Sequence, residues 1–227
     1  MGPNHVYRHE VTIPGETRLL RPLVAPGCRA LDVGCAATGR SARLLRDLGA
    51  VVTAFDLNHE ATVALAAGED ARELALLTAD MRRLPFADRS FDLVLVAFHG
   101  YDYLLERPDR REAVSEFARV VRPGGHVVVN TFNRPVCAFN IDGRPTRRML
   151  QHRLRYFSRC GPLRSTFLDL NGLTIRQGIL WKTRSEIEAA GNLHFNQVVT
   201  RKGQQRPFLW AMVATPEPYL IFERLPC

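Results

Sequence analysis

Arg29-Ala30-Leu31-Asp32-Val33-Gly34-Cys35-Ala36-Ala37-Thr38-Gly39-Arg40 is the stretch that decides how the rest of the chain folds. An apolar run ends in an acid, a turn of small residues follows, and a helical pattern opens near Ser41. A strand, a turn without bulky side chains and a helix start let a ligand lie against the backbone, where free N–H groups face it. Nucleotide-type cofactors are held in this way. The acid at the strand end separates this turn from an ordinary strand–helix connection.

The same alternation continues outward. Upstream, a helix is expected over 15–23, with Leu19, Leu20 and Leu23 on one face and Pro26-Gly27 as its stop. Downstream, the pattern predicts a strand over 28–34, a helix over 38–48 and a strand over 51–55 that runs into Asp56. A helix over 60–67, extending toward 73, then leads to a short strand over 76–79 before Asp80. Residues 91–98 are almost continuously apolar, as in a parallel strand buried on both faces. A helix over 110–121, a tight turn at Arg122-Pro123-Gly124-Gly125 and a strand over 126–131 follow. The expected fold is α/β: an open, doubly wound, Rossmann-like sheet with ligands at the carboxyl ends of its strands. Asp32, Asp56, Asp80 and His99 all fall on that edge.

Residues 134–182 interrupt the rhythm. A helix over 147–157 and two strands over 164–170 and 173–181, joined at Asn171-Gly172, make this segment a cap inserted into a single domain spanning 1–227. A helix over 184–190 and closing strands over 194–200 and 218–224 resume the core. The formal net charge is +8, and the cap carries ten basic residues against Asp142 and Asp169, so the rest of the chain is formally neutral. Arginine forks match carboxylates and phosphates, which makes an anionic small molecule the first expectation for the substrate and RNA the second.

Composition narrows the class further. No apolar run approaches the length of a membrane span, and the N-terminus shows no basic-then-apolar leader pattern. Five cysteines without a CxxC pair fit reduced thiols in the cytoplasm and provide no metal site. Cys227 has no residues after it and so is not a prenylation box.

Four segments in this order and spacing resemble the class I S-adenosylmethionine-dependent methyltransferases: LDVGCAATGR (31–40), VVTAFD (51–56), LLTADMRRLPFADRSFDLVLV (76–96) and ARVVRPGGHVVVNTFN (118–133). The resemblance implies a seven-stranded sheet whose last strand inserts antiparallel. It also implies S-adenosylmethionine as cofactor, with S-adenosylhomocysteine as product. By that resemblance Gly34, Cys35, Ala36 and Gly39 lie under the amino-acid tail and ribose, and Asp32 reaches the cofactor ammonium. Asp56 accepts the ribose hydroxyls, Asp80 and the Met81 backbone address the adenine edge, Leu57 packs on the adenine face, and Phe98 is a further cofactor contact. The family's G-x-G-x-G turn is altered here, with Ala36 at the middle glycine and one extra residue.

Just past the fourth strand, Phe98-His99-Gly100-Tyr101-Asp102-Tyr103 gathers the groups suited to proton transfer. His99 is the expected base, with Tyr101 and Asp102 beside it. Tyr7, Tyr103, Asn133, Arg148 and Arg155 are the expected substrate contacts. The absence of an Asn/Asp-Pro-Pro-Tyr box argues against exocyclic base amines as target. The reading is methyl transfer to an oxygen or nitrogen, with carbon also allowed. Two alternatives stand beside it: a nicotinamide-dependent oxidoreductase, since G-x-A-x-x-G also fits a degenerate dinucleotide turn, and a binding protein that has lost catalysis.

Overall fold

A computed structural model describes residues 14–68, 71, 73–133, 166–168, 174–176, 178, 180–200, 203–209, 211 and 218–226. In chain order the elements are α1 (Pro14–Leu20), β1 (Arg29–Val33), α2 (Arg40–Asp47), β2 (Val51–Asp56), α3 (His59–Ala66), β3 (Ala75–Thr78) and β4 (Phe91–Val96). A short 3-10 helix over Gly100–Tyr103 precedes α4 (Arg107–Val120) and β5 (Val121–Asn130). Then come β6 (Thr166–Leu168), β7 (Thr174–Arg176), α5 (Leu180–Ala190), β8 (Leu193–Val199), β9 (Gln205–Arg206) and β10 (Tyr219–Arg224).

The main sheet has the order β3-β2-β1-β4-β5-β10-β8-β9. β1, β2, β3, β4 and β5 are mutually parallel, whereas β10 runs antiparallel to both β5 and β8. The expected seven strands are present, and the two-residue β9 adds an eighth at the edge. β6 and β7 form the expected hairpin, with Thr166 opposite Arg176. The expected helix over 147–157 and the Asn171-Gly172 tip lie outside the described residues.

Period-two alternation sorts each strand between two cores. Leu31, Val33, Val94, Val96, Val127, Val129, Leu220 and Phe222 face α4 and α5, where Val114, Phe117 and Ile187 meet them. Ala30, Leu93, Leu95, Val128, Tyr219 and Ile221 face the other way, against Leu19 and Leu20 of α1, Leu44 and Leu45 of α2 and Leu65 of α3. The strand order switches direction between the parallel strands β1 and β4, whose following helices lie on opposite faces. The crevice this opens at their carboxyl ends is where a ligand fits.

Two boundaries differ from expectation. The Arg122–Gly125 turn is a bulge inside β5: Phe91 pairs with Val121 and Leu93 with His126, so the intervening residues leave the ladder. Gly124 takes φ +75° there. The second boundary is α5, which begins at Leu180, while β7 stops at Arg176 and not at 181. Gly178 sits tightly against this helix start, where an added Cβ would lie 2.6 Å from the Thr183 hydroxyl.

The bulge yields a stability test. A Cβ on Gly125 would meet the Asp92 carbonyl at 2.7 Å and the Arg122 carbonyl at 2.9 Å, and backbone cannot step aside cheaply. Gly125→Ala is expected to destabilise by about 2–3 kcal/mol. At Gly124 only the Arg122 guanidinium is near, at 3.9 Å, so Gly124→Ala should cost about 1 kcal/mol, from left-handed strain alone. Urea melts of both variants measure the order.

Candidate cofactor and reaction site

Asp32 is the fourth residue of β1 and points to the α1–α2 face, where it is completely buried. Ser41 Oγ donates to its Oδ2 at 2.9 Å, and Oδ1 has no partner among the described residues. Burial pushes its pKa up to about 7, against the opposing effects of Ser41 and Arg40. A buried carboxylate oxygen without a donor is costly, and an ammonium group would satisfy it.

The turn after β1 is held from beneath. The backbone N–H groups of Gly34 and Cys35 both donate to the Phe55 carbonyl, at 2.9 and 3.0 Å, and Gly39 N–H closes the loop on the Cys35 carbonyl at 3.0 Å. Gly34, Ala36 and Gly39 take φ of +77°, +51° and +53°, so the extra residue is absorbed by left-handed conformations. Alanine replaces glycine at one of these three positions. The Cys35 side chain is buried, and burial raises its thiol pKa, so only the backbone of this residue is offered to a ligand. No side chain caps α2 at Gly39.

Asp56 closes β2 with its carboxylate stretched across the crevice. Its Oδ2 accepts the Ala36 N–H at 2.9 Å and its Oδ1 the Asn58 N–H at 2.9 Å. It does not cap α3; Asn58 does, accepting the Glu60 N–H. Each Asp56 oxygen keeps a lone pair for a further donor. Asp80 is more heavily engaged. Its Oδ1 accepts from the Arg82 N–H and Nε, and its Oδ2 from Nε and Nη2, which holds its pKa below the usual carboxylate range. Arg82 also reaches Asp109 at 3.2 Å. Met81 is half-buried against the core, while Leu57 at 69% and Phe98 at 43% exposure present apolar surface to the crevice.

Past β4 the backbone is strained. Phe98 and His99 take φ of +48° and +60°, which non-glycine residues adopt only when the surroundings enforce it. The His99 ring stacks on Phe132, with centroids 3.6 Å apart and planes 9° from parallel. Its Nδ1 lies 3.8 Å from Asp102 Oδ2. Asp102 is completely buried and accepts the Phe132 N–H (2.9 Å), Thr131 Oγ1 (3.1 Å) and Arg176 Nη2 (3.1 Å). Burial pushes its pKa up to about 6, with Arg176 opposing. It therefore fastens β5 and the β6–β7 hairpin to the 3-10 helix, and does not face the crevice as a reacting group.

Two other expected site residues are buried. The Tyr101 ring is a core residue with no exposure, turned inward by the 3-10 helix, and burial raises its pKa. Asn133 is likewise fully buried, donating to the Ala211 carbonyl at 3.1 Å. Tyr103 is exposed on the 3-10 helix. Tyr7, Arg148 and Arg155 lie outside the described residues.

The sequence reading missed a cluster. Glu16 of α1, 2% exposed, pairs with Arg40 through both oxygens and accepts the Tyr219 hydroxyl. The Arg40 guanidinium lies 4.1 Å above the Phe98 ring. Only a polar residue on the otherwise apolar face of α1 could have signalled it.

Asp32 sets a test of pH and stability. Its folded pKa of about 7 exceeds the ordinary value of about 3.9, so the folded state holds the proton more tightly and stability falls as pH rises through that window. Asp32→Asn is therefore expected to gain about 2–4 kcal/mol at pH 8, with the gain shrinking toward pH 4. Thermal melts across that range measure it.

The comparisons with known proteins agree with this geometry. Residues 31–129 match the family described as "Methyltransferase domain". The chain is 34% identical over 142 residues to a protein of Renibacterium salmoninarum named demethylmenaquinone methyltransferase, covering 60% of this chain and 56% of that one. A relative of the same name from Beutenbergia cavernae is 40% identical over 111 residues, covering 48% and 43%. The chain thus spans about half the length of these curated relatives. Among solved structures, the CcbJ methyltransferase of Streptomyces caelestis superposes with a TM-score of 0.70 at 14% identity, covering 94% of this chain and 90% of that one. An S-adenosylmethionine-dependent methyltransferase of Clostridium acetobutylicum gives 0.68 at 11% identity, covering 97% and 95%. The fold is shared with both. With its acids at successive strand ends, residues 31–129 of the chain match a methyltransferase domain, on the fold of the S-adenosylmethionine-dependent methyltransferases.

Proposed function

We propose that the protein transfers a methyl group from S-adenosylmethionine to a small molecule bearing a carboxylate or phosphate, with segment 134–182 as its substrate cap. The observation that carries the cofactor half is the Asp32 Oδ1, buried and without a partner among the described residues, beside a turn whose small residues admit a ligand. When bound, the cofactor supplies a methyl group already activated on a sulfonium. The protein's own contribution is mostly positioning.

Asp32 takes the ammonium of the cofactor. Asp56 offers two oxygens to the ribose hydroxyls, while its bonds to Ala36 and Asn58 keep it extended. Asp80 and the Met81 backbone serve the adenine edge, where Arg82 shares the Asp80 carboxylate. Leu57, exposed at the end of β2, shields the ring from water. Where the acceptor, oxygen or nitrogen, must lose a proton, His99 removes it. Phe132 fixes the plane of the imidazole, and the Asp102 carboxylate 3.8 Å away favours the cation so formed. Asp102 is a positioning residue in this scheme.

The relatives' name adds a second candidate acceptor, a demethylmenaquinone, also a small molecule. The parallel stack of Phe132 on His99 is a surface suited to a flat ring.

Calorimetric titration with S-adenosylhomocysteine should show binding, weakened at least tenfold by Asp56→Ala (about 1.4 kcal/mol or more); absence of binding at millimolar ligand would sink the reading. His99→Asn is expected to lower turnover about 100-fold while leaving that affinity unchanged. Turnover that survives removes His99 as base. Methyl transfer scored against carboxylates, phosphates and a demethylmenaquinone in parallel decides the acceptor class.

A further inference from the structure

The matched domain begins at residue 31 and ends at 129, yet the Glu16–Arg40–Tyr219 cluster draws two of its three members from outside that range. Glu16 comes from α1, Arg40 opens α2 directly after the turn, and Tyr219 starts β10. All three lie on the Asp32 face of the sheet. Tyr219 packs in the same core as Leu19 and Leu20 of α1, and Ser41, next to Arg40, is the residue that bonds Asp32.

Burying a carboxylate and a guanidinium together is expensive, and the Arg40 and Glu16 side chains are only 12% and 3% exposed. Glu16 is nevertheless spent on two N–H groups of the guanidinium, in the bidentate geometry that fixes its plane. Phe98 fixes the opposite side, 4.1 Å from the guanidinium carbon. Among the described residues no other acceptor meets the remaining Arg40 donors. Within the same crevice, Asp32 Oδ1 is buried with no donor. The Arg40 guanidinium, which keeps Nε and the second hydrogens of Nη1 and Nη2 after its bonds to Glu16, and the Asp32 Oδ1 without a donor complement an α-amino acid group: carboxylate toward Arg40 and ammonium toward Asp32.

We propose that Glu16 is a positioning residue for the amino-acid end of the cofactor, acting through Arg40, which it holds facing that end. The inference rests on the methyltransferase reading above. It assigns α1 and β10 a part in cofactor recognition that the matched domain alone does not contain. Tyr219 keeps Glu16 in place by donating its hydroxyl to the oxygen that also receives Arg40 Nη2.

The test compares two ligands that differ only at that end. S-adenosylhomocysteine carries the amino-acid tail, and 5′-methylthioadenosine lacks it. Calorimetry on the full chain should show Glu16→Gln weakening S-adenosylhomocysteine about tenfold while 5′-methylthioadenosine stays within about twofold. Arg40→Met should show the same selective loss, and the double variant should lose no more than Arg40→Met alone, because Glu16 acts through Arg40. Equal weakening of both ligands by Glu16→Gln, or no weakening of either, overturns the inference: Glu16 would then serve folding alone. Additive losses in the double variant overturn it as well. A wild-type chain that binds neither ligand overturns the methyltransferase reading, and this inference with it.

Discussion

The carboxylate of Asp32 is the constraint around which the fold is arranged. It sits completely buried in the β1 position next to the crevice, where the strands before and after it in space, β2 and β4, leave no water. A charge in that place needs donors, and the sequence provides them locally: Ser41, the second residue of α2, with Arg40 beside it. This fixes where α2 starts, and therefore the shape of the Gly34–Gly39 turn. The left-handed conformations of Gly34, Ala36 and Gly39 are the backbone consequence. Alanine at the middle position bears strain that glycine would not, and its N–H bond to Asp56 offsets it.

The same logic extends to the remaining strand ends. β2 delivers Asp56, and the loop after β3 delivers Asp80, each at the carboxyl edge because the strands are parallel and in register: Val33 is level with Phe55, and Phe55 with Leu77. The loop that follows Asp80 is tied down from a distance. Arg119 of α4 donates to the Leu84 and Phe86 carbonyls and pairs with Glu116 and Asp88. That explains an arginine in the ARVVRPGG segment on physical grounds: it anchors the loop that begins at Asp80.

Sequence was a good guide wherever structure is local. The apolar blocks of β1, β2 and β4 and the acids that close them are readable because parallel strands buried on both faces leave continuous hydrophobic runs. Legibility failed where burial is decided by distant partners. Phe98–Tyr103 reads as a polar cluster, yet the 3-10 helix turns Tyr101 into the core and places Asp102 under Thr131, Phe132 and Arg176. The Glu16–Tyr219 bond joins residues 203 positions apart, which no local pattern encodes. The start of α5 was hidden by Ile175, Ile179 and Leu180, whose spacing suits a strand as well as a helix.

The two fully buried aspartates show how burial alone misleads and how hydrogen-bond accounting corrects it. Both carboxyls are pushed up by desolvation, Asp32 to about 7 and Asp102 to about 6, so on that ground either could be the functional acid. Their partners separate them. Asp102 receives a backbone N–H and a hydroxyl from the end of β5 and a guanidinium from β7, and both of its oxygens are occupied. That is the pattern of a structural clasp. Asp32 receives a single side-chain donor on one oxygen, and the other oxygen has none among the described residues. A fold that satisfies one buried acid three times over and leaves the other half satisfied keeps the second for a ligand. The small side chains of the Gly34–Gly39 turn leave space beside the Asp32 oxygen that has no donor, as the proposed cofactor site requires.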